Sequence, residues 1–391
     1  MKKQLVISDY VTECSDSSVR HSAKLNNDVI WFEIPKAISP PSPGEMFLGA
    51  ALLEAMVSQQ DIIIEAPLTI SPLLLTKIHD IQQIYHNWNP KLHPIKIHTD
   101  TIENITTNKT TSLKAGSFFS GGVDSTFTLI SHLDDIDYLI FLTGFDQFDP
   151  ADQHQTIIEK LNNIAKKHNK TLVVIKNNIR EYINEKKISN EFQHGITMAS
   201  LGISLPLAKV YIPSSFTYNF LIPWGSHPLV DPMWSSEKTA VFHDGLQASR
   251  VDKTLAIIKK EKFHDDLQVC WRYVDHNCGQ CSKCIRTLLV FELINKSTNA
   301  FPDINIINHL KYLKPNNVVA ENFIQELIDL SQKTNNRNIE IKLRRLMWLY
   351  LVKFHSHKLA HLLTFNLTKK ALDKFSNASW RSYRVRIDWV S

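Results

Sequence analysis

Two short stretches of this chain combine residue types and spacing that can do chemistry. The first is Ser120-Gly121-Gly122-Val123-Asp124-Ser125, set between an apolar run and a helical pattern. Its two glycines let the backbone turn tightly and bring N–H groups against an anion, while the following helix aims its positive end at the same point. Ser120 and Ser125 add hydroxyl donors, and Asp124 is placed to hold Mg²⁺ on bound phosphates. Gly116 and Gly121 have the spacing of a Walker loop, but Gly122 and Val123 stand where Lys and Ser/Thr are required, which excludes ordinary γ-phosphate cleavage.

The second stretch is Cys270, Cys278, Cys281 and Cys284, with Gly279 at the tight turn. Only five cysteines occur and Cys14 stands alone, so the cluster reads as a metal site before a disulfide. Four thiolates close a tetrahedral Zn²⁺ site and leave no open position for catalysis, so the zinc is expected to be structural. An iron–sulfur cluster is the competing reading.

The elements that must position these groups follow from hydropathy. Residues 1–100 read as a small α+β domain, with strands at Gln4–Tyr10, Asp28–Glu33 and Asp61–Glu65 and helices at Glu45–Val57 and Pro72–Tyr85. A polar Thr/Asn-rich stretch, 101–112, reads as a linker. From residue 113 to 295 strand and helix alternate. Strands are expected at Ser117–Phe119, Tyr138–Thr143, Thr171–Ile175, Lys209–Ile212 and Thr239–His243, with helices at Asp124–Leu133, Gln153–His168, His194–Ala208 and Ala248–Lys260. That rhythm predicts an α/β fold with a five-stranded parallel sheet of Rossmann-like kind. Helices at Glu321–Gln332, Asn338–Phe354 and His357–Phe375 make residues 296–391 an all-helical region.

The loop sequence after the first strand resembles the S-G-G-x-D-S signature of the PP-loop ATP-pyrophosphatases. Its pairing with C…C-G-x-C-x-x-C and a following Arg286 is similar to the zinc-containing cyano-deazaguanine synthases, over about residues 115–290. The resemblance implies that ATP binds with its triphosphate in the loop at Ser120, Gly121, Gly122, Val123, Asp124 and Ser125, that AMP passes to a substrate oxygen, and that pyrophosphate leaves. It implies the first and fourth strands side by side, with the ligand between the loops that follow them. It also places Gly144 and Asp146, after the second strand, near the adenine and ribose.

The loop after the fourth strand is long for a compact domain and mixes aromatic faces with polar groups, which suits a flat polar substrate. Ser214, Trp224, Ser226, His227, Asp231 and Trp234 are the candidates there, with His194, His243 and Asp244 outside it. Arg250 and Lys253 fall on one helix face and are candidates for neutralising charge on the α-phosphate. A tight turn, a helix cap and ordinary surface pairing are the plain alternatives for Gly144–Asp146, His194 and the Arg250/Lys253 pair.

Composition narrows the class further. With 43% hydrophobic and 21% charged residues, the chain is neither disordered nor fibrous. The apolar run at the N-terminus stops too early for a signal peptide, and no stretch has the length of a membrane span, so a cytoplasmic protein without membrane partners is expected. The net charge is +5, unevenly spread: residues 301–391 hold 15 Lys/Arg against 7 Asp/Glu. A solvated helical surface explains that; an RNA or protein partner would too.

Position two is Lys2 and Cys14 lies in no nucleophile elbow, so neither glutaminase type is encoded, and ammonia or an amine must arrive free or from a donor. The leading expectation is adenylation of a carboxylate or amide on a small-molecule or polypeptide acceptor, followed by displacement of AMP by nitrogen. Sulfur transfer is an alternative, with only Cys14 left to carry persulfide. A nucleotide-binding partner protein that engages RNA or polypeptide through the basic C-terminal region is another. A homodimer is compatible with either.

Overall fold

The computed structural model describes residues 4–99, 101–102, 114–144, 154–273 and 275–363. The chain divides into two compact units, Met1–Gln247 and Ala248–Ser391.

The first unit opens with β1 (Gln4–Cys14), β2 (Ser18–Leu25) and β3 (Asp28–Pro35), followed by α1 (Gly44–Ser58), β4 (Asp61–Ile64), α2 (Pro72–Trp88) and β5 (Ile97–Thr99). It continues through β6 (Ala115–Phe118), α3 (Val123–Ser131), β7 (Ile136–Leu142), α4 (His154–Lys167), β8 (Thr171–Asn177), α5 (Ile179–Glu185), α6 (Asn190–Ser204), β9 (Lys209–Pro213), a 3-10 turn (Asp231–Trp234) and β10 (Ala240–Asp244). The α/β class is as the alternation implies. The sheet, however, has ten strands rather than five, in the order β10-β9-β6-β7-β8-β3-β2-β1-β4-β5. Strands β6 to β10 pair in parallel, with β6 between β7 and β9. The N-terminal strands extend the same sheet, because β8 runs on to Asn177 and pairs antiparallel with β3 through Phe32↔Asn177 and Glu33↔Lys176. The two sides of the expected linker thus share one sheet, and the two compact units divide between Gln247 and Ala248.

Helix α1 explains why the N-terminal strands stay attached. Twelve of its fifteen residues are buried, all round the helix, so it has no solvent face and must be enclosed. It packs against α6 so closely that a β-carbon on Gly49 would lie 2.1 Å from Ser200 Oγ. Gln193 on α6 donates to the Gly49 carbonyl at 2.9 Å.

The second unit holds α7 (Arg250–Ile258), α8 (Glu261–His264), α9 (Ser282–Leu293), α10 (Ile306–His309), α11 (Val318–Lys333) and α12 (Arg337–Leu363). Across the described residues α12 is one unbroken helix rather than two with a gap after Phe354. Helix α6 starts at Asn190, capped by Ser189, so His194 lies in its second turn and does not open it. No helix among the described residues is long and apolar enough to cross a membrane.

Candidate functional site

The glycine-rich bend joins β6 to α3 at the C-terminal edge of the parallel strands. Gly121 has φ +72°, a left-handed conformation that favours glycine. The Ser120 N–H donates to Ser125 Oγ (3.3 Å) and that hydroxyl donates to the Gly122 carbonyl (3.2 Å), closing the bend on itself. Gly122 occupies the N-cap of α3 and supplies no side-chain cap, so the first turn presents its N–H groups without a capping oxygen from the N-cap side chain. Val123 is fully buried and pins the helix start to the core, while Ser120 is exposed and Asp124 half-buried.

Adjacency of β6 and β9 brings the loop after β9 alongside. Ser215 Oγ donates to Asp124 Oδ2 at 3.4 Å, so the loop meets the bend at the residue next to Ser214. Ser214 Oγ donates to the Phe216 carbonyl and accepts from the Phe216 N–H, which closes a local turn. Helix α3 is held from behind by Asp244, whose carboxylate accepts from Thr128 Oγ1 (2.7 Å) and meets His132 Nε2 (2.8 Å). Asp244 is therefore a brace for the helix of the bend. Gly144, φ +67°, ends β7; Asp146 lies outside the described residues.

The long loop is far less open than its composition suggests. Asp231 and Trp234 are 0% exposed, and Ser226 and His227 are buried. Asp231 Oδ2 accepts from Ser226 Oγ and lies 2.7 Å from His243 Nδ1, and Asp231 Oδ1 accepts from the His227 N–H. A nucleophilic serine would need the second nitrogen of a carboxylate-oriented imidazole. Here Ser226 Oγ faces the same Nδ1, at 3.3 Å, so the Ser, His and Asp form a structural knot and not a catalytic triad. His227 Nδ1 accepts from the Leu229 N–H, which requires the neutral ring, and burial, with His243 beside it, holds its pKa down at about 4.

Residues outside the loop anchor it. Glu237 Oε2 accepts from Ser71 Oγ (2.6 Å) and its Oε1 from the Leu73 N–H (2.7 Å), so this carboxylate sits on the first turn of α2, where negative charge is favoured. Tyr85 donates to the Gly225 carbonyl and the Trp88 ring meets His227 edge-on at 4.9 Å. Gly225 and Gly195 meet backbone to backbone; a β-carbon on Gly195 would lie 1.9 Å from the Gly225 oxygen. Trp224 is a half-buried aromatic of the loop, edge-on to His194 (5.4 Å) and Phe216 (5.9 Å). Ser226, Asp231, Trp234 and His243 thus face the interior, with Ser226 and His243 both bonded to Asp231.

In the second unit, α7 carries Arg250 and Lys253. Arg250 lies 5.5 Å over the Phe323 ring, and Lys253 is 1% exposed, an unusual depth for an ammonium group, which needs polar partners to stay charged there.

The four clustered cysteines converge in the same unit. Their Sγ atoms all lie within 4.8 Å of one another, with Cys278–Cys284 and Cys270–Cys281 at 4.0 Å. The sulfur–sulfur edge of a tetrahedron with bonds of about 2.3 Å is about 3.8 Å, so the four could hold one metal ion. Gly279, φ +66°, makes the turn between Cys278 and Cys281. Backbone N–H groups of Arg272, Gln280, Cys281 and Cys284 point at the sulfurs from 3.3–3.4 Å, as suits thiolate charge. Hydrogen bonds from Cys281 and Cys284 hold the Cys270 thiol far below its usual range. The buried Asn277, a position that sequence reading overlooks, ties the site together: its Oδ1 accepts from the Val269 and Cys270 N–H groups, and its Nδ2 donates to the carbonyls of Leu267 and Ala300.

No protein-family model, curated protein or solved structure matches the chain.

Proposed function

We propose that this chain is an ATP-pyrophosphatase that adenylates a carboxylate or amide oxygen and passes the activated carbon to ammonia or an amine. The observation that carries the reading is the start of α3, without a side-chain N-cap and with Gly122, its N-cap residue, directly after the left-handed Gly121, at the crevice where β9 and β7 flank β6. Crevices of that kind, outside the carboxyl ends of parallel strands, receive nucleotides. The N–H groups of the bend, with Ser120 and Ser125, are assigned to the β- and γ-phosphates, and Asp124 to Mg²⁺. The acceptor oxygen attacks the α-phosphorus in line, the bond to the pyrophosphate oxygen breaks, and nitrogen then displaces AMP from the acyl carbon. Ser215, Trp224 and His194 are the part of the long loop and its neighbour assigned to the acceptor.

The cysteine cluster is assigned to zinc. A four-iron cluster would place each thiolate on a different iron and spread the sulfurs wider than a single ion does. Elemental analysis of the purified protein should give about one zinc per chain and no iron–sulfur absorbance.

The test of the reaction is pyrophosphate release from MgATP over a panel of carboxylates, with and without ammonium. Asp124→Asn should slow turnover by about a hundredfold or more at unchanged thermal stability. Turnover equal to that of the native protein would remove the assignment.

A further inference from the structure

The knuckle that gathers the cysteines also displays large side chains outward. Trp271 is 42% exposed and Tyr273 45%, two residues apart, with Arg272 exposed between them. The Tyr273 ring stacks on His276, centroids 4.6 Å apart at 23°, and Lys283 Nζ stands 5.8 Å from the Trp271 ring. Single exposed apolar residues are ordinary on any surface. These differ because the loop that carries them is stapled from inside. Gln268 donates to the carbonyls of Tyr273 and His276, Asn277 holds Cys270, and the Arg272 N–H points at Cys270 Sγ. Hydrogen bonds that fix the backbone of Tyr273 and His276 beneath their rings reduce the conformational entropy lost when a ligand covers them.

The charge of the chain is segregated in the same sense. From residue 248 on there are 24 Lys and Arg against 13 Asp and Glu, while residues 1–247 hold 20 against 26. The one acid displayed by the loop, Asp275, is engaged by His276 at 2.8 Å. Aromatic faces interleaved with cations, on a basic body, match a chain of flat bases joined by phosphates.

We propose that the second unit binds single-stranded nucleic acid through this knuckle, with bases stacking on Trp271 and on the Tyr273–His276 pair and phosphates meeting Arg272 and Lys283. The proposal does not rest on adenylation, and its test reads binding alone.

The full chain is titrated at about 150 mM salt against fluorescein-labelled oligonucleotides of about 20 nucleotides, as single-stranded RNA, single-stranded DNA and duplex, and against polyglutamate. Expected is tighter binding of a single strand than of duplex, with quenching of tryptophan fluorescence. Trp271→Ala should weaken it about tenfold and Trp271→Phe less, as befits stacking. Arg272→Glu should lower affinity and flatten the salt dependence. Metal content and thiol reactivity of each variant, equal to those of the native protein, certify that the knuckle is intact. Preference for RNA or for DNA identifies which polymer is the ligand. Failure to bind either strand, an unchanged affinity in Trp271→Ala, or polyglutamate bound as tightly as the oligonucleotides would overturn the proposal, the last pointing to an acidic protein instead.

Discussion

At the scale of single residues, the tightest constraint is the contact between Gly195 and Gly225. Alanine at 195 would place its β-carbon 1.9 Å from a backbone oxygen, and alanine at 225 would place it 2.3 Å from the Phe192 oxygen. Backbone cannot swing aside as a side chain can. Gly195→Ala should cost about 2 kcal/mol or more and lower the melting midpoint by roughly 4–8 °C. A midpoint within a degree of the native value would show that the loop does not press on α6. Two buried imidazoles set a second expectation. His21 bridges Tyr10 and Ser39 through its two nitrogens, and burial holds its pKa at about 4, as it does for His227. Both lie below the unfolded value of about 6.5, so the unfolded chain binds protons first. Their stabilising effect is complete above about pH 6.5 and is lost as pH falls toward 4. Urea midpoints measured across that window should decline, and replacing His21 should flatten part of the decline.

At the scale of elements, Glu237 and Asn277 each hold two segments together. Glu237→Ala removes the carboxylate from the start of α2 and should cost about 1–2 kcal/mol, read as a shift of the denaturant midpoint without a change of slope. Asn277→Ala leaves the N–H groups of Val269 and Cys270 and the carbonyls of Leu267 and Ala300 without their partner. Metal affinity should fall about 10- to 100-fold in competition with a chelator, as for other groups that orient ligands. Most elements were legible from sequence because their apolar periods are strong: β7, β8, β9 and β10 lie within a few residues of where periodicity puts them. Strand β2 was not, because its buried positions are Val19, His21, Ala23 and Leu25, and a histidine and an alanine do not register as an apolar alternation. The bend at Ser120–Ser125 and the cysteine cluster were legible because each is a local pattern. Asn277 and Glu237 were not, since their meaning depends on partners up to 166 residues away. The same limit applies to the long loop, where the burial of Asp231 and Trp234 depends on partners elsewhere in the chain.

At the scale of the molecule, the continuous ten-stranded sheet makes a direct prediction about truncation. Deleting residues 1–112 would strip β3 from β8 and remove α1 from α6, uncovering a strand edge and a buried helix face together. The shortened chain should aggregate or bind a hydrophobic dye strongly; a soluble, cooperatively folding fragment would show that the sheet is divisible at the linker. The clasp between the long loop and α2 has a further consequence for how such a protein changes over generations. The conformation of the loop beside the crevice is tied to residues such as Ser71, Tyr85 and Trp88, far along the chain from the glycine bend. Grafting the bend alone onto another scaffold would leave behind the supports of the loop beside it, which travel with the first ninety residues.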